Sequence, residues 1–316
     1  MPLGERRGCL MTRYIAVRVC KAILTVLFIW TLVFVLSRVT GDPVDWILSE
    51  GGSAEAIAQV RHNLGLDFPL WEQYFRAFGD ILTGNAGDSY YYARPVSDLF
   101  GERFIATFTL GALVFLVTIL IGIPLGVLAA VKHNTILDRL TMSISIAGYT
   151  IPNFVLGILL IMVFSLYIHV LPSGSYGTAA HYVLPVIAMS VGPTASVARL
   201  TRSSMLDVIG QDYLESVRAK GVNEWVVIYK HALRNSMIPV ITILGAQLST
   251  IIGGSVIIET VFAWPGIGSL IVSSARQRDF PVVQFGVMMI CFSITLINLL
   301  VDLSYSILDP RIRVKS

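Results

Sequence analysis

Residues 212–239 read DYLESVRAKGVNEWVVIYKHALRNSMIP, a charged, amphipathic segment set between two long hydrophobic blocks. Residues 206–220 have a helical pattern, and Gly221 is placed to end it because glycine takes positive φ without a steric cost. Asn223 then serves as an N-cap, with Glu224 near the positive end of a second helix dipole. Trp225, Ile228, Tyr229 and Ala232 recur at helical spacing, and Lys230, His231 and Arg234 fall off that face. The segment therefore reads as helix, turn, helix with an apolar stripe and a polar rim. Amphipathicity alone leaves two readings open: the hairpin lies on a membrane interface, or one helix enters the groove of a partner protein.

What flanks the segment fixes the solvent. The chain has 316 residues, 55% hydrophobic and 14% charged, whereas soluble domains carry about 25% charged residues. Crossing a bilayer takes about 20 mostly apolar helical residues. Runs of that kind occur at 14–39, 104–131, 140–171, 182–198, 236–258 and 282–307, so the sequence predicts an all-α membrane protein with six transmembrane helices. The run at 182–198 is the weakest, being short and interrupted by Pro185 and Pro193. The first run follows Arg13 and contains Arg18 and Lys21 ahead of its apolar core. That core is longer than a signal-peptide core and SRVTGDP after it lacks a small-x-small cleavage pattern, so it reads as a retained helix.

Basic residues near span ends stay cytoplasmic. With both termini inside (N-in/C-in), 16 of the 23 Lys and Arg are cytoplasmic, and the other side carries 7 basic against 12 acidic residues. The net charge of +3 thus reports topology and calls for no nucleic-acid partner. Residues 1–13 form a cytoplasmic tail, in which Met11 would serve as a start as well as Met1. Residues 40–103 form the one sizeable extracytoplasmic region, with a helix ending at Gly65 and another that starts at Pro69 and lines up Leu70, Tyr74, Phe78 and Leu82. Tyr90, Tyr91 and Tyr92 follow in a loop, fit either for interfacial anchoring or for contact with an external partner.

Pro124, Pro152, Pro185 and Pro193 are expected to bend or break their helices, and freed backbone groups are tolerated in a membrane where protein or a water-filled cavity satisfies them. Gly122 and Gly126 form a small-xxx-small pair suited to close helix packing. Asp302, flanked by Asn298 and Ser304, reads as the one acid deep in a span, placed near a helix end. Asn153, Gln247, Ser249, Thr250 and Asn298 are the span residues able to meet a polar solute, or equally to pack helix on helix. The three cysteines, Cys9, Cys20 and Cys291, form no disulfide framework, and the five histidines no metal-binding spacing.

The stretch from Asp212 through Thr242 resembles the cytoplasmic coupling loop of binding-protein-dependent ABC import permeases, in the dipeptide and oligopeptide branch that also holds nickel and glutathione permeases. Glu215, Ser216 and Val217 stand at the triplet of that family's EAA signature, and Gly221 at its glycine; Leu233 is followed by Arg234 where the general signature has proline, as in the peptide branch. GDP at 41–43, GLDFPLWEQY, RPV at 94–96, ETVFAWPGIG from Glu259, RDFPVVQ from Arg278 and DPR at 309–311 extend the resemblance over nearly the whole chain from Met11.

The resemblance implies a type I ABC importer permease fold in a bacterial inner membrane. It implies pairing with a homologous second permease, docking of each permease's coupling loop, here residues 199–235, on one of two cytoplasmic P-loop ATPase subunits, and delivery of a peptide, glutathione or nickel chelate by an extracytoplasmic binding protein. Asp212, Tyr213, Glu215, Ala219 and Gly221 would lie in the ATPase contact, with Lys220, His231 and Arg234 as polar neighbours. ATP and Mg would be bound by the partners, consistent with the lack of GxxxxGK[ST] here, and the chain itself would have no catalytic residue or cofactor. A channel or secondary transporter is the competing class, which the scarcity of intramembrane acids disfavours. An intramembrane protease would need paired aspartates, HExxH or a partnered serine, and none is evident.

Overall fold

The computed structural model describes residues 3–39, 44, 53–63 and 65–308; the GDP and DPR motifs at 41–43 and 309–311 lie outside them. Helices follow one another as α1 (Leu3–Val39), α2 (Ala54–Asn63), α3 (Leu70–Leu82), α4 (Val96–Val131), α5 (Ile136–Thr150), α6 (Asn153–Tyr167), α7 (Ala179–Ile209), α8 (Asp212–Ala219), α9 (Glu224–Val261), α10 (Ile267–Arg276) and α11 (Phe280–Leu308). Five of them, α1, α4, α7, α9 and α11, are long and apolar enough to cross a membrane. The pair α5 and α6, bent by 99°, makes a sixth if counted as one span.

The bend falls at Pro152, one of the prolines expected to bend or break a helix, and divides the run read over 140–171. Proline carries no N–H and pushes the residue before it out of the helical region. Ile151 is accordingly extended (φ −77°, ψ 121°) ahead of Pro152. Pro124, Pro185 and Pro193, by contrast, lie inside helices that run through them. α1 already begins at Leu3, inside the stretch read as a tail, and α4 begins at Val96, two turns before its apolar run, because Asp98, Glu102 and Arg103 lie in those turns.

α7 is the centre of the molecule and packs on α4, α5, α6 and α9. Its contact with α4 depends on the small pair. A Cβ on Gly126 would stand 2.5 Å from the Ala198 carbonyl oxygen and from Thr201 Cβ, and one on Gly122 3.1 Å from the Thr194 carbonyl oxygen. Gly126→Leu is therefore expected to force α4 off α7 and lower the thermal unfolding temperature in detergent by several degrees, overpacking costing about 1–3 kcal/mol. Gly111→Ala, whose Cβ would meet Ile251 at an ordinary 3.6 Å, is expected to leave it unchanged.

α1 is held against α11, with the Arg18 guanidinium 2.8 Å from the Asp302 carboxylate. The acid singled out from sequence is thus an ion-pair tie between the first and last spans. After α1, α3 turns Tyr74 and Phe78 onto Trp30 and Phe34 of α1, and the Tyr74 hydroxyl lies 2.9 Å from that of Thr31. Leu70 of the expected face points outward, as do Trp71 and Phe75. The tyrosine loop is pinned from beneath. Buried Asp279 accepts hydrogen bonds from the Ser89 hydroxyl and from the Tyr90 N–H at 3.0 Å. Burial raises the Tyr90 phenol above its ordinary range against the opposing pull of Arg38, and Tyr91 alone of the three faces solvent.

Candidate functional site

The hairpin over 199–235 is built from local backbone chemistry. α7 runs on to Ile209 and stops at Gly210, and Gln211 is extended (φ −88°, ψ 142°) before α8 begins. The helix expected over 206–220 is therefore broken at Gly210. Gly221 has φ +76°, and its N–H donates to the Arg218 carbonyl at 2.9 Å, so this turn takes the left-handed form that the glycine predicts. The Asn223 side chain accepts from the Trp225 N–H at 2.9 Å, the expected N-cap. Across the turn the Arg218 guanidinium forks onto the Glu224 carboxylate at 3.0 and 3.2 Å. Exposed pairs of this kind add well under about 1 kcal/mol, and this one bridges α8 and α9 across the turn. Sequence reasoning passed over Arg218, since an interaction spanning a turn has no helical periodicity.

The inner face of α8 is anchored by Leu214, fully buried among Val127 and Ala130 of α4, Met205 and Val208 of α7, and Val227, Ile228 and Ala232 of α9. Tyr213 reinforces the seat, its hydroxyl accepting from the Asn235 side chain at 2.7 Å. Asp212, Glu215 and Ala219, at i, i+3 and i+7, present the opposite face, and Lys220 and Gly221 continue it; all five are exposed. Arg234 is exposed beside Asn235, while His231 is half-buried a turn earlier. Among the described residues no hydrogen bond or ion pair joins His231 or Arg234 to the α8 set.

The stripe expected on the second helix is split. A π-helical stretch, Val227–Ala232, overturns the 3.6-residue register, so that Val227, Ile228 and Ala232 are buried. Trp225 and Tyr229 instead face outward, 70% and 47% exposed, with rings stacked at 4.2 Å. The hairpin thus carries an outward apolar plate at the start of α9. α9 continues without interruption from this plate into the membrane.

A second feature lies along α9. A cleft of about 210 Å³ opens where the break between α5 and α6 faces α7 and α9, and its walls include Pro152, Asn153, Pro193, Gln247 and Thr250. Three of the polar span residues picked out from sequence meet there. The other two do not: the Ser249 hydroxyl donates to Asn298 at 2.8 Å, a contact between α9 and α11 away from the cleft.

Residues 122–314 match the family described as the binding-protein-dependent transport system inner membrane component, and residues 11–111 match its N-terminal companion. The chain belongs to this family. Over 306 residues the permease is 40% identical to the glutathione transport system permease protein GsiC of Salmonella paratyphi A, covering 96% of this chain and 100% of the relative. It is 39% identical, with the same coverage, to GsiC of Escherichia coli strain K12. Its fold is shared with a chain of the MetNI methionine ABC transporter in inward-facing conformations, at 20% identity and a TM-score of 0.54. That match covers 67% of this chain and 96% of the other. The all-α permease fold of type I importers and the inner-membrane location, both expected from the sequence, are the ones found.

Proposed function

We propose that this permease forms, with a homologous second subunit, the path by which small peptides, glutathione among them, enter the cell from an extracytoplasmic binding protein. Two cytoplasmic P-loop ATPase subunits bind the ATP and Mg and drive the cycle, and this chain performs no chemistry. Both termini face the cytoplasm, with 199–235 as the coupling loop.

The observation that carries the reading is the seating of α8. One face is locked by Leu214 and Tyr213 into the ends of α4, α7 and α9, and the other offers Asp212, Glu215, Ala219 and Gly221 outward. Such an element passes a displacement of a few ångströms to three spans at once, because packed interfaces move as units. Lys220 and Arg234 supply cationic rim contacts, His231 supports them from its half-buried position, and Trp225 with Tyr229 supplies apolar area. The likeness to glutathione permeases supports the substrate class.

Gentle extraction of a tagged chain and mass spectrometry of what remains bound test the assembly: a second permease and ATPase subunits are expected. In the same preparation Glu215→Lys is expected to cut the recovered ATPase about tenfold, since reversing an interface charge costs on the order of 1–2 kcal/mol. Undiminished recovery with Glu215→Lys moves the contact elsewhere. Isolation of this chain alone, still transporting, overturns the assembly.

A further inference from the structure

The cleft at the α5–α6 break holds a chemistry that the coupling face does not explain. Asn153 and Gln247 reach into it from α6 and α9, and among the described residues no group hydrogen-bonds either side-chain amide. Each amide offers donors and acceptors together, the same complement that a peptide bond presents. Gly148 and Met189 also line the cleft, and they are the residues whose carbonyls Pro152 and Pro193 leave without a helical donor. Backbone and amide groups freed in this way are tolerated at membrane depth where protein or a water-filled cavity satisfies them. No Asp, Glu, Lys, Arg or His is among the lining residues.

We infer that this cleft is a station on the translocation path that recognises the peptide backbone, with Asn153 and Gln247 pairing a peptide group and no fixed charge reading the side chains or the ends. The inference deepens the proposed import of peptides and rests on it. Amide-to-amide pairing is common to every peptide, so the station accepts varied sequences. The neutral walls give neither a cationic nor an anionic peptide an ion pair that would delay its release, and preference among charged peptides then belongs to the external binding protein.

The complete assembly, reconstituted in liposomes with its binding protein, tests this with a tripeptide and its analogue carrying an ester in place of the central amide. The ester lacks the N–H donor but keeps the shape. Uptake of the tripeptide is expected to fall at least tenfold in Asn153→Leu and Gln247→Met, and the amide-over-ester ratio of the wild type is expected to shrink toward one. Because the binding protein is the same throughout, a change in that ratio belongs to the permease. Ser249→Ala, on the same helix but outside the cleft, is expected to behave as wild type.

A second measurement does not depend on these variants folding. Thr250→Cys, at the cleft wall but not one of the two pairing amides, in a chain whose Cys9, Cys20 and Cys291 are replaced, is expected to be shielded from a small maleimide by the tripeptide during turnover and unshielded without it. Wild-type uptake and ratio in both substituted assemblies, or equal labelling with and without tripeptide, overturns the cleft as a backbone site while leaving peptide import standing. A wild-type assembly that imports no peptide sinks the import reading and this inference together.

Discussion

Gly221→Val is expected to abolish ATP-driven uptake, by more than tenfold, while the chain still inserts and unfolds at nearly the wild-type temperature. The position is left-handed, φ +76°, and an added Cβ meets no heavy atom within 4 Å. No clash arises, and the whole penalty is in the backbone. Holding an L-residue in that region costs about 1–2 kcal/mol, and a β-branched side chain is the least tolerated there. The turn relieves the strain by returning to negative φ, which redirects the chain between α8 and α9 and separates Arg218 from Glu224. The buried seat of Leu214 is spared, so stability changes little. What is lost is the fixed angle of the exposed α8 face, on which the proposed ATPase contact depends. Gly221→Asn, which tolerates the left-handed region, is expected to retain substantial uptake. Uptake and ATP hydrolysis measured together in vesicles decide it: hydrolysis without uptake is the expected signature, and wild-type uptake by Gly221→Val removes the turn from the mechanism.

The Gly221 turn and the Asn223 cap were legible because each is decided within four residues by φ and by one side-chain acceptor. The features that escaped the sequence are those decided by distant parts of the chain. The weakest hydropathic run became α7, which is more than half buried: a helix enclosed by protein needs less hydrocarbon character than one facing lipid. Pro152 announced a break, but its 99° angle is set by what α5 and α6 pack against. Trp225 and Tyr229 were placed on one apolar stripe with Ile228 and Ala232 by assuming 3.6 residues per turn, and the π-helical stretch from Val227 invalidates that count. In the cleft, Asn153, Gln247 and Thr250 were separable from Ser249 and Asn298 only by tertiary contact. Asp302 was visible as an intramembrane acid, whereas its partner Arg18 lies at the opposite end of the chain.

Glu259 was missed as an intramembrane acid because it falls just beyond the apolar run ending at 258, although α9 continues to Val261 and encloses it completely. Its carboxylate accepts from the Gly268 N–H at 2.7 Å, the Ser269 N–H at 3.1 Å and the Thr107 hydroxyl at 2.8 Å. The two N–H groups belong to the first turn of α10, whose dipole favours an anion there. One side chain thus binds α4, α9 and α10 together. Glu259→Ala strands these donors in a buried site at about 1–3 kcal/mol each, so a loss of several kcal/mol and a large fall in thermal unfolding temperature are expected. Glu259→Gln keeps the volume and one acceptor oxygen, and is expected to fall between. Intramembrane carboxylates are functional candidates by default, and the pair of variants separates the two roles. Uptake that survives Glu259→Gln at reduced stability assigns the carboxylate to the architecture around α10. Uptake lost at wild-type stability assigns it to the transport cycle instead.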